Sequence, residues 1–246
     1  MQRFFIPGDW IKNNQVVLGG EVVHQIRNVL RLAPDDAITL LDNTGWEYEA
    51  IITDIAKDRV EAKVAHKSFS QTEPRTRITL YQAILKKTRF EFALQKCTEL
   101  GIANFVPILC QRCVAIWNPS NLQRWQQIIR EAAEQSQRGR LPTLHKPVNF
   151  IDACSRASTN SFVAWEGECD TGIRELLKKE LKGGRINKSA INLFIGPEGG
   201  FTPQEIEKAR GMGVTPLSLG RRVLRAETAG LVAASIIFYE LGDLGG

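Results

Sequence analysis

Gly196-Pro197-Glu198-Gly199-Gly200 follows the apolar run Ile191 to Ile195 and precedes Thr202-Pro203-Gln204-Glu205. Thr202 suits a helix N-cap, Pro203 the first helical position, and Glu205 the returning half of a capping box. Strand, glycine-rich turn and helix in that order bring backbone amides against a ligand at the carboxyl edge of an α/β sheet. A tight connection that simply needs glycine fits the same residues. Phosphate suits this turn poorly: no Lys-Ser or Lys-Thr follows the glycines, Glu198 has the wrong sign, and the dinucleotide fingerprint is missing. An uncharged or cationic ligand fits better. A second segment, Leu217 to Thr228, again runs from a strand through Gly220 towards a helix. Its arginines, Arg221, Arg222 and Arg225, suit RNA phosphate, or Arg225 and Glu227 pair across a helix start.

Other chemistries find less support. Cys110-Gln111-Arg112-Cys113 has the spacing of half a zinc site, but no second Cys or His pair stands at a suitable distance, so no metal is expected. His24, His66 and His145 lie far apart, and no Gly-x-Ser-x-Gly accompanies them, which argues against hydrolysis through a nucleophile triad.

The elements that must hold these segments differ between the two parts of the chain. Up to about residue 70 the pattern is of short strands, Arg3 to Ile6, Ala37 to Asp42, Trp46 to Ile55 and Arg59 to Lys67, with one helix over Glu21 to Leu30. A small β barrel is expected there. Ser68 to Arg77 reads as a linker, giving domains of residues 1–72 and 73–246. Beyond it strands (Ile78 to Leu85, Ala103 to Leu109, Ser161 to Trp165, Ala190 to Ile195, Val214 to Leu219) alternate with helices, as in an α/β domain with a largely parallel sheet. A helix from Glu227 to Leu241 is apolar on nearly every side and is expected to be buried in the domain or in a subunit interface.

With 43% hydrophobic and 24% charged residues among 246, the composition is that of a globular protein rather than a disordered one. The apolar stretch Ala229 to Tyr239 falls short of the ~20 residues a bilayer span needs, so no membrane association is expected. The opening Met1-Gln2-Arg3, with Asp9 soon after, lacks a signal-peptide pattern, and five scattered cysteines imply no disulfide framework. The expected location is the cytoplasm. A formal charge of +5 favours a polyanionic partner where Lys and Arg cluster, as they do from Arg75 to Arg89.

Taken together, Val29-Leu30-Arg31, Gln95 to Gly101, Glu131 to Ser136, Gly196 to Gly200 and Leu219 to Ala229, in that order and spacing, resemble one family. It is that of the SPOUT-class ribosomal RNA methyltransferases that methylate N3 of a uridine in small-subunit (16S) RNA, the ribosomal RNA small subunit methyltransferase E family. The resemblance implies a PUA-like RNA-binding β barrel followed by an α/β methyltransferase domain with a C-terminal trefoil knot, working as a homodimer on 16S ribosomal RNA or the small ribosomal subunit. It further implies S-adenosyl-L-methionine in the knot, held by Ile195, Gly196, Pro197, Glu198, Gly199 and Gly200 and by Leu217, Ser218, Leu219, Gly220, Val223, Leu224 and Arg225. This chain departs from the family's pattern at Arg221, where Pro is common, at Ala226, where Thr is usual, and at Gln137, often Gly. Arg225 and Glu227 are the candidate catalytic residues, and Arg3, Arg31, Lys86, Lys87 and Arg89 the candidate RNA contacts. The competing readings are a non-catalytic RNA-binding assembly factor and a SPOUT methyltransferase acting on a different RNA.

Overall fold

The computed structural model describes residues 1–157, 160–168, 171–182 and 190–245, so Cys169 lies outside the described residues. The chain forms two compact units, Met1–Glu73 with Ala133–Leu141, and Pro74–Ala132 with Pro142–Gly246.

The first unit is built on a six-stranded sheet. Its strands are β1 (Gln2–Phe5), β2 (Ile11–Lys12), β3 (Gln15–Leu18), β4 (Ala37–Leu41), β5 (Trp46–Ile55) and β6 (Val60–Phe69), in the order β1-β4-β5-β6-β3-β2. Only β1 and β4 run parallel. Alternation sends Tyr48, Ala50 and Ile52 of β5 into a core shared with Leu18, Ile26, Ile38 and Leu40. The β2–β3 hairpin turns on Asn13 and Asn14, whose φ of 50° and 61° are the left-handed pair that a type I′ turn needs. Sequence patterning missed this hairpin because its strands are too short to show a period. Helix α1 (Gly20–His24) continues into a π-helical turn over Gln25–Val29, inside the expected helix.

Ala133–Leu141 completes this unit. Ala133 packs with Phe5, Leu41 and Leu141. Glu134 Oε1 accepts the Phe5 amide at 3.1 Å. Glu73 accepts Arg138 Nη2 at 2.7 Å and the Gly139 and Arg140 amides at 3.1 and 3.2 Å.

The second unit holds an all-parallel sheet. Its strands are β7 (Arg77–Ala83), β8 (Asn104–Leu109), β9 (Thr143–Leu144), β10 (Val148–Asn149), β11 (Ser161–Ala164), β12 (Ala190–Ile195) and β13 (Thr215–Leu217). Their order is β10-β8-β7-β12-β11-β13, with β9 also on β8. Such sheets are covered on both faces. On one face Ile78, Leu80, Phe162, Ile191, Leu193 and Ile195 meet α2 (Thr88–Leu100), α3 (Asn121–Gln135), α5 (Ile173–Lys182) and α7 (Ala226–Leu241). On the other, Ala83, Val106, Ile108, Val163 and Phe194 meet α4 (Phe150–Arg156) and α6 (Pro203–Gly211).

The apolar α7 is explained by this packing: Ala229, Gly230, Ala233, Ala234, Ile237 and Phe238 are buried. Helix α2 stops at Gly101, whose φ of 114° and 2.5 Å approach to Pro74 Cγ by any added Cβ leave room for glycine alone. No helix among the described residues is long and apolar enough to cross a membrane.

Candidate functional site

The carboxyl ends of β11 and β12, the start of α2 and the entry to α7 enclose a cavity of about 270 Å³ in the second unit. Its position at the carboxyl edge of a parallel sheet is where such folds bind ligands. The glycine-rich turn forms one wall through Ile195, Gly196, Pro197, Glu198 and Gly200, and Phe201 continues it. The turn is held in shape from its own ends. Gly200 has a φ of 67° and its amide bonds the Pro197 carbonyl at 2.9 Å. The expected capping box forms: Thr202 Oγ1 accepts the Glu205 amide at 3.2 Å, and Glu205 Oε2 accepts the Thr202 amide at 2.8 Å. From behind, Arg112 Nη1 donates to the Gly199 carbonyl at 2.9 Å.

The opposite wall is Val223, Leu224, Arg225, Ala226, Glu227 and Ala229. Arg225 is the N-cap of α7 and Glu227 lies in its first turn, where a carboxylate suits the positive end of the helix. Of the remaining expected ligand residues, Leu217, Ser218, Leu219 and Gly220 lie outside the lining. Leu217 is wholly buried in the sheet core, and Ser218 exchanges backbone hydrogen bonds with Thr171 and Ile173. Gly199 is also outside, its carbonyl turned to Arg112.

Charge in the cavity is specific. Arg89, at the start of α2, places Nη1 3.3 Å from Glu198 Oε1 and Nε 3.9 Å from Glu227 Oε1. Arg225 Nη1 is 4.0 Å from the same Glu227 oxygen, while its side chain is 77% exposed and free to reach beyond the cavity. Glu227 Oε2 is buried and has no hydrogen-bond partner among the described residues. Leaving a buried acceptor unmet costs about 1–3 kcal/mol, so a ligand donor is its natural complement. Glu166, exposed just after β11, adds a third carboxylate, close against Gly200. Sequence reading missed Glu166; its place two residues past a buried strand, at the carboxyl edge, is the signal that marks it.

The basic candidates divide between the units. Arg89 lines the cavity, and beside it in the chain the Lys86 amide donates to Glu198 Oε1 at 3.3 Å, with Lys87 between them. Lys87 has a φ of 44° with a ψ of −120°, a conformation that L-residues seldom adopt. In the first unit, Arg31 is exposed, whereas Arg3 is half-buried and committed to Glu47 at 2.6 and 3.1 Å. Among the described residues, no three His, Cys, Asp or Glu side chains are grouped to hold a metal ion.

Comparison with known proteins bears on both units. A model of the RNA methyltransferase domain matches residues 72–238, and one of the RNA methyltransferase PUA domain matches residues 18–65. Ribosomal RNA small subunit methyltransferase E from a Synechocystis species is 34% identical over 236 residues, covering 96% of this chain and 76% of the relative. The protein of that name from Bacillus subtilis is 30% identical over 256 residues, covering 98% of this chain and 97% of the relative. Among solved structures, ribosomal RNA small subunit methyltransferase E from Neisseria gonorrhoeae, bound to S-adenosyl methionine, is 32% identical with a TM-score of 0.86 and covers 98% of both chains.

Proposed function

The chain belongs to the ribosomal RNA small subunit methyltransferase E family, and from that premise we propose that it is an S-adenosylmethionine-dependent enzyme that methylates N3 of a specific uridine in 16S ribosomal RNA. The observation that carries this reading onto the chain's own residues is the cavity shared by the two expected segments, with the unpartnered Glu227 Oε2 inside it. Its three carboxylates, and the absence of a lysine after the glycines, suit a ligand that joins a neutral adenine to a cationic sulfonium.

Ile195 to Gly200 and Val223 to Arg225 hold that cofactor in this reading, with Leu217 to Gly220 supporting the second wall from the sheet. Bound there, S-adenosylmethionine supplies an electrophilic methyl group. The chain's own residues must do the rest. The imide N–H of uridine is protonated at neutral pH and buried in pairing within a duplex, so the base must be exposed, oriented and relieved of its proton. Glu227 Oε2 accepts the hydrogen bond from that N–H, while Arg89 and Arg225 fix Oε1. Arg225, mostly exposed, steadies negative charge developing on the uracil oxygens or anchors the neighbouring phosphate. Lys86, Lys87 and Arg89 bind RNA beside the cavity, and Arg31 and Arg3 belong to the RNA-binding face of the first unit.

The same reading carries the finer architecture and assembly: a PUA-like barrel in residues 1–72, a methyltransferase domain in 73–246 with a trefoil knot, a cytoplasmic homodimer, and no metal. The knot is supported by the way Ile195–Gly200 and Val223–Arg225 come together as two walls of one cavity at the carboxyl edge of the sheet. The deciding experiment is transfer of labelled methyl from S-adenosylmethionine to small ribosomal subunits and to free RNA, with nucleoside analysis of the product. N3-methyluridine is expected; transfer to neither substrate overturns the proposal, and a different methylated nucleoside redirects it to another RNA site.

A further inference from the structure

Cys110-Gln111-Arg112-Cys113 takes no part in the methyl-transfer reading, yet it is built as a unit and joined to the cavity. The Cys113 amide donates to the Cys110 carbonyl at 3.1 Å, closing a four-residue turn. Such a turn keeps its outer Cα atoms within about 7 Å, against the ~4.4–6.8 Å that a disulfide spans. The Cys113 thiol is already drawn to its partner residue: its Sγ accepts the Cys110 amide at 3.2 Å. The residues between them grip the glycine-rich turn. Arg112 Nη1 holds the Gly199 carbonyl, the Gln111 amide donates to Glu205 Oε1 at 2.9 Å, and Thr202 Oγ1 donates to Gln111 Oε1 at 3.3 Å.

We propose that Cys110 and Cys113 form a thiol–disulfide exchange site for low-molecular-weight disulfides of the glutathione class, and that closing the bridge weakens cofactor binding through Gln111 and Arg112. The second clause rests on the reading of the cavity as the S-adenosylmethionine site. Reactivity favours Cys113 as the attacking group. The hydrogen bond from Cys110 brings its thiol down to about 7, against burial and the carboxylates of Glu205 and Glu198, and Cys110 is raised by the same bond. Cys97 and Cys154 are buried, and burial pushes both up to about 12. A cavity of about 320 Å³ opens beside Cys110, the residue next to the attacking thiol; Lys208 in its lining can meet a carboxylate of a peptide disulfide, and the Glu205 carboxylate there is taken up by the Gln111 and Thr202 amides.

The Cys113 thiolate attacks one sulfur of oxidised glutathione, forming a mixed disulfide and expelling one glutathione thiolate. Cys110 then attacks Cys113 Sγ, gives up its proton and expels the second. Two protein thiols are oxidised and one disulfide is reduced to two glutathione thiols, a two-electron exchange. Drawing the sulfurs into a bond removes Cys113 Sγ from the Cys110 amide and shifts Gln111 and Arg112, which support Gly199 and Thr202.

The test incubates the full chain with reduced and oxidised glutathione at set ratios, alkylates free thiols, maps the peptides by mass spectrometry and measures S-adenosylmethionine binding by calorimetry. A Cys110–Cys113 bridge is expected, with a rise in Kd on the order of tenfold that dithiothreitol reverses. Cys110→Ser and Cys113→Ser are each expected to keep the reduced protein's Kd and to lose the response, so either variant suffices if the other fails to fold. Absence of the bridge, with both thiols alkylated at every ratio, overturns the site; a bridge with unchanged Kd overturns its coupling to the cavity. A reduced protein that binds no S-adenosylmethionine overturns the reading of the cavity and the coupling with it, while the mapped bridge is judged on its own.

Discussion

Lys87 holds a backbone that glycine would adopt freely, and its side chain makes no capping hydrogen bond to the helix it precedes to offset the strain. Strain of this kind costs of order 1–3 kcal/mol and gathers at functional sites. Lys87→Gly is therefore expected to raise stability by about 1 kcal/mol in denaturant unfolding, and to lower the salt slope of RNA binding by about one charge. A variant that gains stability and keeps the slope removes Lys87 from the RNA contacts. Glu227→Gln keeps the size of the side chain but replaces the basic carboxylate that faces the cavity with a neutral amide that cannot take up a proton. Turnover is expected to fall by a factor of order 10²–10³, with cofactor affinity within a few-fold, measured by single-turnover methyl transfer and calorimetry. An equal loss in both would make Glu227 a cofactor ligand. At this scale the sequence exposed residue types but not their commitments. Arg3 and Arg89 look alike in a string, yet one is locked to Glu47 and the other spans Glu198 and Glu227. Such pairings join residues far apart in the chain, and no local pattern encodes them.

The glycine-rich turn works because the helix behind it is capped. Thr202 and Glu205 satisfy each other's amides, and the cap also holds Gln111. Thr202→Ala is expected to cost about 1 kcal/mol of stability and to weaken S-adenosylmethionine binding, since Gly200 lies two residues before it. An unchanged Kd, despite the lost stability, would show that the turn holds its shape without the cap. This element was legible because capping is local chemistry: hydroxyl, proline and carboxylate stand at fixed offsets. The same holds for α2 ending at Gly101, and for β12, bounded as its apolar run suggests. Helices α4 and α5 and the two-residue strands β9 and β10 were not legible. They are short, and their stability comes from packing on the sheet rather than from their own periodicity.

Across the whole molecule, the change from strand-rich to alternating patterning puts the boundary between residues 72 and 73, one residue short of Glu73, where the first unit's first stretch ends, and nothing marks Ala133–Leu141 as part of that unit. That membership rests on three apolar contacts and on one carboxylate, Glu73, which gathers the Arg138 guanidinium and two backbone amides. Arg138 is only 4% exposed. Removing Glu73 takes away the carboxylate that this buried guanidinium pairs with at 2.7 Å, at a cost of about 3 kcal/mol. Glu73→Ala is accordingly expected to speed tryptic cleavage after Arg138 and Arg140 by an order of magnitude or more, read on a gel time course. Unchanged cleavage would mean that the apolar contacts alone hold the segment. The division of the first unit between two stretches also sets an order of events during translation. A nascent chain displays Phe5, Leu41 and Glu73 before their partners have been synthesised. At ~5–20 residues per second, the wait from Glu73 to Leu141 is roughly 3–14 s. Until then the amino-terminal sheet is an unfinished fold on the ribosome, open to chaperones and to wrong partners, and it closes only when Ala133–Leu141 emerges from the exit tunnel.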